Sequence, residues 1–264
     1  NTANGYAALL NNSTGSDNTA NGPSALFSNT TGWSNIAIGK ESLYLNDAGY
    51  QNIANGEQAL YSNTSGHHNI AIGWQTLYSN TTGENNTASG ATALYSNTTG
   101  KLNTAIGYSA LKFNTTGTNN VAVGNGANQN ATTGNYNTAL GNAAGLNITT
   151  GIRNIVLGAS AGQNLTSGDY NINIGHAGVA TDSHTTRIGN VQTRAFIAGI
   201  MGVTTSLPGA IPVLVDSLGQ LGTVSSSRRY KEDITDMGEA SARLQALRPV
   251  TFRYKKPYAD GGKP

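Results

Sequence analysis

An uninterrupted 17-residue period runs from Asn1 to about Arg187, each copy resembling NTAIGxxALxxNTTGxx. Eleven copies fit in one phase. Their first position is always Asn, as at Asn35, Asn69 and Asn103, and their fifth is always Gly, as at Gly39, Gly73 and Gly107. The fifteenth is Gly from Gly15 to Gly168 and turns to Thr185 in the last copy, as expected of a terminating cap. Self-similarity at a fixed short period means stacked equivalent units. Two glycines and an Asn-Thr-Thr-Gly cluster in each short unit leave no room for a helix pair, so short strands joined by turns remain.

Positions 2 and 4 of each copy alternate with position 3, so Ile36, Ile38, Ile70 and Ile72 point one way and Ala37 and Ala71 the other. A second strand is expected through the Ala-Leu pairs, such as Ala25 and Leu26 or Ala59 and Leu60. Coils stacked in register put each residue type above its equal, in a rod roughly 50 Å long at the usual strand spacing. The fold expected is all-β, a parallel β-solenoid or β-roll. Such a coil is thin, and one chain buries too little apolar surface to offset its ordering cost of about 1–2 kcal/mol per residue. The aliphatic residues of positions 2 and 4, with the Leu row, would form an exposed stripe, and three chains closing that stripe about a threefold axis make a homotrimer.

Charge argues against a nucleic-acid partner. Only 11% of the 264 residues are charged, and the formal net charge of +2 comes largely from the last forty residues, where Arg228, Arg229, Lys231, Arg243, Arg248, Arg253, Lys255 and Lys256 cluster. No apolar run reaches the roughly 18–20 residues that span a bilayer, so membrane insertion is not expected. The chain has no cysteine. His67 and His68 are adjacent rather than spaced for joint coordination, and His176 and His184 lie in the last copy, so neither metal nor cofactor is expected. The start, without an initiator Met and in phase with the repeat, reads as an internal piece or a trimmed product of a longer protein.

The copies NIAIG and NTAIG resemble the repeats in the heads of trimeric autotransporter adhesins, left-handed parallel β-rolls that assemble as trimers. The wider NTTG-spaced array is similar to repeats of tail-fibre-like proteins. Both resemblances imply an extracellular place, on a virion tail fibre or a cell surface, and a role as rigid spacer and attachment element.

Beyond the shaft (1–187) the period stops. Residues 188–225 read as a β-rich neck or β-prism, with strands over Ala195 to Val203 and Ala210 to Val215, a turn at Asp216 to Gly219, and a return strand over Gln220 to Val224. From Ser225 the composition changes to SSSRRYKEDI, with a short helix expected over Glu239 to Leu247 and a strand over Val250 to Lys255. Residues 226–264, with Arg228, Arg229, Tyr230, Lys231, Glu232, Asp233 and Ile234 in frame and the LRPVTFRYK tail, resemble the start of the endosialidase-type intramolecular chaperone. That resemblance implies trimer assembly followed by autoproteolytic release, with Ser226 as nucleophile or scissile residue, Ser225 and Ser227 as alternatives, and Lys231 as base. A lysine whose pKa burial lowers can take a serine proton.

Three further surfaces carry two readings each. Phe27, Tyr44, Tyr61, Tyr78 and Tyr95 form a row at position ten, either a sugar-stacking surface for a cell-surface glycan or receptor, or internal support for the roll. Asn-x-Ser/Thr triplets at Asn12, Asn29, Asn63, Asn80, Asn97, Asn114, Asn130, Asn147 and Asn164 are either glycan acceptors or turn-capping residues. Thr rows suit either an ice-binding face or repeated turn chemistry. The leading expectation is a structural and adhesive fibre, and the second a self-cleaving serine peptidase.

Overall fold

The computed structural model describes residues 1–198 and 211–223, which fall in two units, Asn1–Ala195 and Phe196–Pro264. The first is a parallel β-solenoid. Its strands are β1 (Thr2–Asn4), β2 (Thr19–Asn21), β3 (Ile36–Ile38), β4 (Ile53–Asn55), β5 (Ile70–Ile72), β6 (Thr87–Ser89), β7 (Thr104–Ile106), β8 (Val121–Val123), β9 (Thr138–Leu140), β10 (Ile155–Leu157), β11 (Ile172–Ile174) and β12 (Thr186–Ile188). They pair in chain order within one 12-stranded sheet. Like stacks on like: Ala37 pairs with Ala54, and Ile36 with Ile53.

The β1-to-β11 steps are 17 residues, as Thr2 opposite Thr19 illustrates, but Ile172 lies opposite Thr186, a step of 14. The final coil is therefore three residues shorter, and Thr185 takes the place of a first-position Asn, donating its N–H to Asn171 Oδ1 at 3.1 Å. The rod closes with this twelfth strand, which contains Arg187 and ends at Ile188.

The expected second strand is absent. Residues Ala25 and Leu26, Ala59 and Leu60, and Ala93 and Leu94 lie in turn structure. A strand turns successive side chains to opposite faces, which would leave Leu outside; yet Ala59 and Leu60 are both fully buried. Leu60 achieves this with a left-handed backbone, φ 52°, and Gln58 two residues earlier does the same at φ 57°. Coil-to-coil backbone bonds still hold this face, for instance Leu60 N–H to the Thr76 carbonyl and Ser62 N–H to Tyr78, both at 3.0 Å. The Leu row consequently belongs to the core and not to the outer stripe.

Position-three Ala, position-eight Ala and position-nine Leu fill the interior of most coils as far as Leu111, and the Asn of positions 1 and 12 flank them. The repeating glycines are set by coil spacing: a Cβ on Gly39 would stand 2.7 Å from the carbonyl carbon of Gly56 in the next coil, at a φ of +119°.

Within the second unit, β13 (Leu214–Val215) and β14 (Leu221–Gly222) form an antiparallel hairpin, Val215 opposite Leu221. Asp216 builds the turn, its Oδ1 accepting from the N–H groups of Leu218 and Gln220 at 2.9 Å each. Residues 195–198 carry no strand, and the rest of the strand expected to Val203 lies outside the described residues, as do the helix and strand expected after residue 238.

Candidate functional site

The expected Asn ladder is continuous. Asn35, Asn69 and Asn103 are fully buried. Asn69 Nδ2 donates to Asn52 Oδ1 at 3.1 Å and to the Gly83 carbonyl at 2.9 Å, while its own Oδ1 accepts the backbone N–H of Asn86 at 3.0 Å. A second ladder at position twelve closes on the same carbonyls: Gly83 O also accepts Asn80 Nδ2, at 3.1 Å. From Gly32 to Gly117 each coil is thus stapled at one glycine by two buried amides.

This accounts for five of the nine Asn-x-Ser/Thr triplets. Asn29, Asn63, Asn80, Asn97 and Asn114 are fully buried in the second ladder, which leaves no side chain for a glycan. Asn147 and Asn164 are exposed because they sit one position earlier, at position eleven.

That shift belongs to a core exchange that a repeat-by-repeat reading overlooks. Up to Leu111 and Asn114, position nine is Leu and position twelve Asn; the next three coils carry Asn128 with Ala131, Gly145 with Ile148, and Gly162 with Leu165. Ile148 and Leu165 are buried in place of the missing leucines, a Cβ on Gly162 would meet Leu165 Cδ1 at 3.5 Å, and Val156 fills the remaining space where other coils have Ala. The aliphatic group has moved three residues along the chain while staying in the same core. The ladder ends accordingly, with Asn114 Oδ1 left without a donor because Ala131 follows it.

The position-ten row stacks face to face. Phe27, Tyr44, Tyr61, Tyr78 and Tyr95 succeed one another at centroid separations of 5.0–5.1 Å with planes within 10°. The rings cover one another's faces, leaving mainly edges and hydroxyls outward, so the π surface a sugar ring needs is already occupied. Burial, with the neighbouring tyrosines and Glu41, raises the Tyr61 pKa.

Other columns carry charge. At position sixteen Trp33 stacks on Tyr50 and Tyr50 on His67; His67 Nε2 meets Glu84 at 2.9 Å, and Glu84 meets Lys101 Nζ at 2.9 Å. The Lys101 hydrogen bond holds the Glu84 carboxyl below its ordinary pKa. At position seventeen the Arg153 guanidinium lies 5.4 and 5.3 Å from the ring centres of Tyr136 and Tyr170.

The C-terminal end of the core is closed by an ion pair. Arg187 occupies the inward position of β12 and donates from Nε and Nη2 to Asp182 at 2.7 and 2.8 Å. These bonds, with the Val179 N–H, hold the Asp182 carboxyl below its ordinary pKa and raise that of Arg187.

The outward sheet face is an unpartnered apolar stripe of the described rod. Ile36, Ile72, Ile106, Ile155 and Leu157 are 39–46% exposed on it, and no outward residue of β1 to β12 is charged. Ser225, Ser226, Ser227 and Lys231 lie outside the described residues. Among the described residues no His, Asp and Glu grouping is placed to hold a metal, and no helix is long and apolar enough to cross a membrane. Comparison with curated proteins and with solved structures yields no match. Residues 226–263, by contrast, match the family model Peptidase_S74, chaperone of endosialidase.

Proposed function

We propose that this chain is the shaft of a homotrimeric extracellular fibre, of phage-tail or surface-adhesin kind. It acts as a rigid spacer that carries an attachment element for a host receptor or surface glycan. The observation that carries this reading is the coexistence, in one chain, of an uncharged aliphatic sheet face along the solenoid and a C-terminal segment matching the endosialidase chaperone. Together they fit a tail-fibre structural role. A lone rod leaves the face in water at a cost of roughly 25 cal/mol per Å², which association removes. Light scattering on the purified full chain tests it: three chains per particle are expected, and a cooperatively folding monomer overturns it.

The family match favours a second activity in the same protein, self-cleavage at Ser226 with Lys231 as base and Ser225 or Ser227 as alternative cleavage residues. Intact-mass measurement of the expressed protein should find a product ending within residues 225–227 that disappears in Ser226→Ala and Lys231→Ala. Unchanged processing in both variants rejects the assignment.

A further inference from the structure

We infer that the coil beginning at Asn120 binds two ordered internal water molecules between the Asn128 carboxamide and Asn114 Oδ1, a site that takes over where the position-twelve ladder stops.

The ladder follows one rule. Each position-twelve Oδ1 accepts from the Nδ2 of the next coil, as Asn80 Oδ1 does from Asn97 and Asn97 Oδ1 from Asn114, both at 2.8 Å. Asn114 Nδ2 also donates to Gly117 O at 3.1 Å, so its nitrogen is satisfied. Its Oδ1 is not, because the residue stacked on it in the next coil is Ala131, which has nothing to donate.

The missing amide stands three residues earlier. Asn128, at position nine above Leu111, is fully buried, and neither its Oδ1 nor its Nδ2 bonds to another protein group. Positions nine and twelve of one coil share the same part of the core: a Cβ on Gly145 would lie 3.1 Å from Ile148 Cδ1, and the Ala131 N–H donates to the Asn128 carbonyl at 3.2 Å. The Asn128 carboxamide and Asn114 Oδ1 therefore border one space beside the Ala131 methyl. Room comes from Ala131, which lacks the carboxamide its ladder predecessors carry, and from Asn128, whose amide fills less volume than the methyl groups of Leu111. Together they release space on the order of the 30 Å³ that each water takes in the liquid.

The three atoms select the ligand. Buried polar groups without a partner cost about 1–3 kcal/mol each, and in folded proteins ordered water meets them. A cation would engage the two oxygens and leave Nδ2 without an acceptor; an anion would engage Nδ2 and leave both oxygens. Only a molecule that both donates and accepts pairs with all three, and turning the Asn128 amide over does not alter that count. One water donates to Asn114 Oδ1 in place of the absent carboxamide and accepts from Asn128 Nδ2. Its second proton has a partner in Gly134 O, which accepts Asn120 Nδ2 alone, at 2.8 Å, where Gly117 O accepts two amides. The oxygen and nitrogen of one carboxamide point apart, so Asn128 Oδ1 takes a donor from a second water.

Crystal structures of the full chain and of an Asn128→Leu, Ala131→Asn double variant, at a resolution that orders buried water, test the site. The parent should show two water peaks within hydrogen-bond distance of Asn114 Oδ1 and the Asn128 carboxamide. The double variant restores the pair found at Leu111 and Asn114, so it should show neither, with residue 131 donating to Asn114 Oδ1. Oxygen-17 relaxation dispersion should read the same loss in solution, as two long-lived waters fewer per chain. The parent crystal decides alone where the double variant does not fold. Direct pairing of Asn114 Oδ1 with Asn128 Nδ2, a metal ion in contact with the two oxygens, fewer than two water peaks in the parent, or equal dispersion in the two proteins overturns the inference.

Discussion

Asn52 reaches Asn35 twice: its backbone N–H and its side-chain Nδ2 both donate to Asn35 Oδ1, at 3.0 and 3.1 Å. One oxygen therefore ties down both the main chain and the side chain of the coil below. The arrangement needs a donor and an acceptor on two separate atoms of one short arm, which Asn supplies; Ser has both on a single oxygen, a carboxylate Asp has no donor, and Ala has neither. Repeated coil after coil, it anchors the start of each strand in the otherwise apolar core.

Asn69→Ala should destabilise the chain by about 2–4 kcal/mol. The acceptors are not the main loss, because Gly83 O keeps Asn80 and Asn52 Oδ1 keeps the backbone N–H of residue 69. The penalty comes from the Asn86 N–H, buried without its acceptor. Asn69→Asp should cost more at neutral pH, since a carboxylate would face Asn52 Oδ1 and the Gly83 carbonyl with no proton to donate, and should regain stability on acidification as the carboxyl becomes a donor. Urea denaturation of the two variants at neutral and acid pH checks both statements.

Gly162→Ala should destabilise by about 1–3 kcal/mol through overpacking. The added methyl would fall inside van der Waals distance of Val156 Cγ1. Val156→Ala restores the residue that β2 to β9 carry at that position, so the double variant should be more stable than the sum of the single effects requires. A double-mutant cycle by chemical denaturation measures the coupling, and strict additivity would contradict the exchange of core positions described above.

The period, the inward Ala of each strand and the parallel stacking were legible because identical residues recur at identical offsets. The inward Leu was not, because alternation along a strand is the ordinary reading of Ala-Leu, and nothing in those two letters announces left-handed φ at residues such as Gln58 and Leu60. The exchange of Leu111 and Asn114 for Gly145 and Ile148 was overlooked for a different reason: a consensus treats each column alone, whereas the core conserves only their joint volume. The twelfth strand was readable in principle, since TRIG at 186–189 echoes TAIG, but only if the last coil is allowed to lose three residues.

Leu102→Asn should stabilise by about 0.5–1 kcal/mol. Leu102 is 54% exposed at φ 57°, a region that L-residues with bulky side chains disfavour and Asn tolerates. Asn85 and Asn119 hold the equivalent place in the adjoining coils at φ 58°. The gain comes from removing backbone strain and an exposed apolar side chain, so thermal or urea unfolding should shift upward with no change in oligomeric mass.

The Asp182–Arg187 pair should make the C-terminal coil acid-sensitive. Because the folded carboxyl sits below its ordinary pKa, held there first by the Arg187 hydrogen bonds, the unfolded chain binds more protons in the acid range. The stability it contributes is complete above the ordinary carboxylate value and drains away as pH falls past that value towards the lowered one. Asp182→Asn keeps the shape and removes the charge, so it should be less stable than the parent at neutral pH, with the gap narrowing on acidification. Glu84, also lowered, titrates alike in both proteins and cancels from the difference. Urea denaturation of parent and variant across that range reads the gap, and a gap that stays constant with pH would mean that Arg187 caps the core by packing alone.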